Sequence, residues 1–277
     1  MAVGRSVTLS AVLGVAAWLA PSEAEAAKFV ADLSSYKVTA QPGEVLTRPY
    51  RLTLDGSELP TRFTLRAEDW WRSEDGEQSF YAAPGTIGRS CTTWVSVNPV
   101  DIVAQPAVPM TARLTITVPA DVTPGGYWCV LTIDEVPDPL IPPTGVGAQF
   151  MTSVSTGMFL YIEPVTRSVK FTDVRVTADH TVITLENDGN APVAVEGRVE
   201  FVRPGERAPT ASVTLTRTTL LPEPVTRGVL RASLPPPPAL PAGTYLVRVI
   251  VDIGLDHYLG VERELVIPRV AVINPQP

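Results

Sequence analysis

Histidine is nearly missing from this chain. Its 277 residues include only His180 and His257. They fall in Ala-Asp-His-Thr and Leu-Asp-His-Tyr, and no Gly-x-Ser-x-Gly elbow supplies a nucleophile for either. Cys-x-x-Cys, His-Glu-x-x-His and calcium-loop spacings are lacking, as is a glycine-rich phosphate loop. No catalytic residue, cofactor or metal ligand is therefore expected, and the chain reads as a non-enzyme. Charge is scarce too, at 18% of residues, with a net charge of −7 and no basic cluster. That balance excludes nucleic acid as a partner. Sustained helical periodicity is absent.

Long hydrophobic runs are lacking after the N-terminus, so no membrane span is expected. The one early run, Val7 to Leu19, is about 13 residues, against about 20 for a bilayer crossing. Arg5 precedes it, Pro21 ends it, and Ala24-Glu25-Ala26 offers small residues at the two positions a signal peptidase reads. Residues 1–26 are read as a signal peptide, which places the mature protein in the periplasm or outside the cell.

Proline, by contrast, is abundant at 28 residues. Long helices do not tolerate it, whereas short strands with proline-marked turns do. The stretch Pro119–Asp134, PADVTPGGYWCVLTID, sets the pattern. A Pro/Gly turn feeds a strand with Tyr127, Cys129, Leu131 and Ile133 on one face. LPAGTYLVRVIVD, Leu240–Asp252, repeats the design with Tyr245, Val247, Val249 and Val251. RLTLDGSELP (51–60) likewise parallels VITLENDGNAP (182–192). The expected fold is all-β, with two tandem immunoglobulin-like β-sandwich domains over 27–163 and 168–270. Expected strands include Phe29–Thr39, Tyr50–Asp55, Phe63–Ala67, Thr92–Val97, Ala112–Val118 and Phe150–Ile162.

Two cysteines in an exported chain imply one disulfide, Cys91–Cys129, of about 3–4 kcal/mol. The other reading is a pair of inert buried thiols. Tyr127 stands two residues before Cys129, the offset of a tyrosine corner, in which the hydroxyl bonds to the backbone upstream. Cys91 comes too late to sit on a second strand, so the bridge is expected to be local. The segment 68–77, EDWWRSEDGE, reads as a polar turn whose carboxylates are solvated or grip a cation weakly. Of Trp70 and Trp71, one is expected outward, either stacking on a sugar or partner or capping the open end of the sandwich. Glu135–Gln149 is a long Pro/Gly loop of the kind that is often functional.

Several short motifs together resemble the periplasmic pilus-chaperone-like (PapD-like) proteins. They are the Asp-Trp stretch after the third strand, Trp94–Pro99, Val118-Pro119-Ala120, Pro124–Tyr127 and Ile133–Pro137. The similarity covers mainly residues 29–162. It implies two immunoglobulin-like domains at an angle and a closing strand that donates alternating hydrophobics to an incomplete subunit. On this chain the donating face is Phe150, Val154, Met158, Leu160 and Ile162. The resemblance also implies a basic pair for the subunit's terminal carboxylate. Lys28 or Lys37 matches the first member, and no Lys or Arg between Met151 and Thr166 matches the second. The first functional expectation is a structural or binding module of the bacterial envelope, meeting a protein or an envelope glycan through Trp70, Trp71 and the 135–149 loop. The second is an active chaperone that assists a pilus or surface subunit by strand addition.

Overall fold

The computed structural model describes residues 28–31, 35–55, 59–81, 83–137, 151–177, 179–236 and 238–268. The stretch read as a signal peptide, residues 138–149 of the stretch read as a long loop, and Phe150 lie outside the described residues.

Ten strands form the first sandwich: β1 (Lys28–Ala31), β2 (Ser35–Thr39), β3 (Val45–Asp55), β4 (Thr61–Arg72), β5 (Gln78–Tyr81), β6 (Val95–Asn98), β7 (Asp101–Ala104), β8 (Met110–Thr117), β9 (Gly125–Val136) and β10 (Ser153–Ile162). One sheet runs β1-β3-β8-β6, and the facing sheet runs β2-β10-β9-β4-β5 with β7 also on β4. Seven strands form the second: β11 (Val169–Val176), β12 (His180–Asn187), β13 (Val193–Val202), β14 (Ala211–Leu220), β15 (Arg227–Ser233), β16 (Gly243–Asp252) and β17 (Leu259–Ile267). They pack as β11-β12-β15 against β14-β13-β16-β17. The chain is all-β, with two tandem immunoglobulin-like sandwiches.

Strict alternation places the core. Tyr127, Cys129, Leu131 and Ile133 of β9 meet Tyr50, Leu52 and Leu54 of β3 and Leu114 and Ile116 of β8. In the second sandwich Tyr245, Val247, Val249 and Val251 meet Ile183, Leu185, Val199 and Phe201. Among the described residues β1 pairs with Leu52–Asp55 and not with Pro49, whose missing N–H therefore breaks no ladder bond seen there.

Three strand expectations change. The described part of 29–39 falls in two strands: β1 pairs antiparallel with β3 in one sheet, and β2 runs parallel with β10 in the other. Thr92–Trp94 is a 3-10 turn, and only Val95–Asn98 is extended. β7, against the start of β4, was not expected at all.

Tyrosine corners occur in both sandwiches. Tyr127 Oη donates to the Thr123 carbonyl at 2.9 Å and Tyr245 Oη to the Pro241 carbonyl at 2.6 Å. Each bond fixes the turn that feeds the central strand. Tyr127→Phe and Tyr245→Phe should each cost about 1–2 kcal/mol, read as a lower urea midpoint with unchanged m.

A fork in the first sandwich explains the cysteine spacing. β4 pairs with β9 as far as Glu68↔Val130, then changes partner at Asp69 to pair with β5. The vacated edge of β9 is filled by residues 89–91: Trp128 N–H donates to the Arg89 carbonyl and Cys91 N–H to the Trp128 carbonyl. Cys91 and Cys129 are disulfide-bonded there, with Cα atoms 5.3 Å apart. The bridge is thus local, as its position in the sequence implied. Asp69 is fully buried, contrary to the solvated turn expected of 68–77. Its carboxylate accepts from the Thr86 and Ile87 amides and from the Ser90 and Thr92 hydroxyls. Only residues 73–77 form the turn.

The sandwiches meet along a tight seam. Gly126 N–H donates to the Asn190 carbonyl at 2.8 Å, and a Cβ on Gly126 would lie 2.5 Å from Pro192 Cδ. The connector is held by Thr166 N–H to Asn190 Oδ1 at 2.7 Å and Asn190 N–H to the Thr166 carbonyl at 3.0 Å. Farther out, the β4–β5 turn reaches the second sandwich, where the Glu74 carbonyl accepts from Val229 N–H at 2.7 Å.

Candidate functional site

The outer face of the β2-β10-β9-β4 sheet looks toward the second sandwich. Trp70, Trp128, Val130 and Phe159 rise from it and bury Leu221 of the second sandwich together with Ile87. Trp70 stands edge-on to Phe159 at 6.1 Å between ring centroids, and Trp128 Nε1 donates to the Trp70 carbonyl. Trp71 takes the opposite face of β4 and stacks on Tyr81 at 6.5 Å, partly buried. Both tryptophans therefore lie on a strand and not on a contact loop. Alternation places them on opposite faces, with Trp70 buried and Trp71 partly buried, which fits the capping alternative better than an exposed platform.

Beside this apolar patch the seam opens into a cleft. One cavity of about 460 Å³ is lined by Lys37, Tyr161, Arg167 and Arg217, together with Glu196 and Asp252. An adjoining cavity of about 200 Å³ is lined by Lys37, Arg217, Phe159, Tyr161 and Pro192, with no carboxylate. The cations come from separate elements. Lys37 is outward on β2, Arg167 sits on the connector, and Arg217 lies on β14. Lys37 Nζ is 5.9 Å from the Phe159 ring centroid and the Arg167 guanidinium 5.0 Å from that of Tyr161. Among the described residues neither cation has a carboxylate partner. Arg217 is 4.0 Å from Glu196, with both side chains largely exposed, so this pair neutralises little. Burial raises the Tyr161 phenol above its ordinary pKa, and the adjacent Arg167 opposes that rise. The cleft is thus a positively charged recess with aromatic walls, suited to hydrogen-bonding an anionic group.

Sequence reasoning found Lys37 and missed the other two. Arg167 lies one residue beyond the stretch searched for a basic partner, on the connector that follows the closing strand. Arg217 belongs to the other sandwich and carries no local signal. Lys28 lies on β1, in the opposite sheet from β2.

On the closing strand Met158, Leu160 and Ile162 point into the first core and are fully buried, so they hold the sandwich together. Val154 is 37% exposed. β2 pairs with β10 only from Gly157 onward, so among the described residues Ser153–Ser155 have a strand neighbour on the β9 side alone. Among the described residues the open edge is confined to the first few residues of β10. His180 and His257 are exposed at separate positions, the start of β12 and the β16–β17 turn, and line neither cleft cavity.

No protein-family model matches the chain, and a search of curated proteins finds no match. Solved structures do match. The chain is similar in fold to fimbrial chaperones. The class 5 fimbriae chaperone CfaA is 11% identical, with a TM-score of 0.49, over 85% of this chain and 99% of that one. The Pseudomonas aeruginosa CupB2 chaperone is 16% identical, with a TM-score of 0.42, over 84% and 99%. The Escherichia coli chaperone DraB is 14% identical, with a TM-score of 0.42, over 87% and 100%.

Proposed function

We propose that this chain is an exported, non-enzymatic protein-binding component of the bacterial envelope that acts as a chaperone for a surface or pilus subunit. It takes an extended segment whose free carboxylate enters the cleft. The observation that carries this reading is the convergence of Lys37, Arg167 and Arg217 on one aromatic-walled recess at the foot of β10. Lys37 and Arg167 have no carboxylate of their own among the described residues, so a partner's carboxylate would gain charge-assisted hydrogen bonds without displacing an existing pair. The open start of β10 offers the backbone groups on which the same segment could add as a strand, with Val154 beneath it.

The test uses a fluorescent dodecapeptide of alternating apolar and polar residues, made with either a free or an amidated C-terminus, and binding is followed by anisotropy. The free-acid peptide should bind at least about tenfold tighter than the amide, and Lys37→Gln and Arg167→Gln should each weaken it by about tenfold. Equal binding of acid and amide by the native protein would overturn the reading. Binding of an envelope polysaccharide in place of either peptide would favour a structural or adhesive module instead.

A further inference from the structure

A third cavity, of about 310 Å³, lies where the β4–β5 turn meets the β14 and β15 edges of the second sandwich. Four arginines line it: Arg72 from the first sandwich, and Arg217, Arg227 and Arg231 from the second. Three already have carboxylates. Arg231 pairs with Asp75 at 3.1 Å, Arg227 with Glu186 at 3.7 Å and Arg217 with Glu196 at 4.0 Å. Arg72 differs. Its Nη1 donates to Thr218 Oγ1 at 3.1 Å and its Nη2 to Gln78 Oε1 at 3.3 Å, both neutral acceptors. Its Nε is buried with no hydrogen-bond partner. Burial also lowers its pKa from the ordinary guanidinium value. A partly desolvated guanidinium with an idle donor and no counter-charge is unfavourable by itself. The two acids on the lining do not relieve it: Asp75 is held by Arg231, and Glu74 contributes its backbone carbonyl to Val229 while remaining exposed.

We propose that this cavity binds a phosphate-sized oxyanion, with Arg72 as its principal donor and Arg227 and Arg231 adding positive potential. Nε is fully enclosed, so the oxyanion would be met by the second N–H that each Nη of Arg72 keeps beyond its bond to Thr218 or Gln78. Because the donors come from both sandwiches, the bound anion would clamp the β4–β5 turn to β14 and β15 and so oppose movement between them.

The experiment is thermal unfolding of the intact protein in sodium phosphate or sodium sulfate, against sodium chloride at the same ionic strength. Phosphate at millimolar concentration should raise Tm by about 3 °C over chloride. Arg72→Gln should lose that shift. Titration calorimetry of the native protein with inorganic phosphate should give a saturable heat, which keeps the test independent of how well the variant folds. An equal shift in chloride, an undiminished shift in Arg72→Gln, or no saturable heat with the native protein would each overturn the proposal.

Discussion

Asp69→Ala is expected to destabilise the first sandwich by about 4 kcal/mol, a loss in the range for breaking a buried charged network by removing one partner. Two amides and two hydroxyls converge on this carboxylate, and alanine leaves all four without their acceptor. Asp69→Asn should lose nearly as much, because its amide nitrogen would face donors where an oxygen stood. Urea unfolding followed by tryptophan fluorescence reads the effect cleanly, since Trp70, Trp71, Trp94 and Trp128 all lie in the first sandwich. A midpoint within experimental error of the native one would show that the Thr86–Thr92 segment does not depend on Asp69.

The second large effect is loss of the disulfide. Cys91 and Cys129 are separated by 38 residues, and closing a loop of that size restricts the unfolded chain by about 4 kcal/mol at 25 °C. A Cys91→Ser, Cys129→Ser double variant should fall by about that amount in the same assay. The two serines also place hydroxyls in the buried core cluster, so a Cys91→Ala, Cys129→Ala pair separates loop closure from polar burial. The disulfide and Asp69 restrain the same segment, the one against β9 and the other against β4. Their combined removal should therefore cost less than the sum of the separate losses, and a double-mutant cycle measures the difference.

Inward faces were legible in the sequence because they follow the simplest rule, one apolar residue at every second position. Tyr127 to Ile133 and Tyr245 to Val251 are buried as that rule requires. Outward faces were not. Trp128 and Val130 fall on the side that alternation assigns to solvent, yet a second sandwich and Ile87 cover them. On β10 the expected partner face proved to be the core face, because apolar alternation alone does not say whether its apolar side meets the chain's own core or another protein. Asp69 was hidden for a different reason. In EDWWRSEDGE it looks like one acid among several, and the donors that enclose it come from residues 86–92. Three of them, Thr86, Ser90 and Thr92, are ordinary polar loop residues whose relation to Asp69 exists only after β4 has left β9. The cleft was half visible. Lys37 could be found on a first-strand expectation, but Arg167 and Arg217 become its neighbours only when the second sandwich docks.

Gly126 carries a consequence for how such a molecule can change over evolutionary time. Its bare α-carbon rests against Pro192 and Ala191, so the surface of each sandwich at the join is a cast of the other. A recombination event that exchanged one half for a foreign sandwich would have to bring a matching turn at 187–192, or a glycine at the head of the incoming central strand. The two halves are therefore fitted to each other at this join, which does not invite modular exchange.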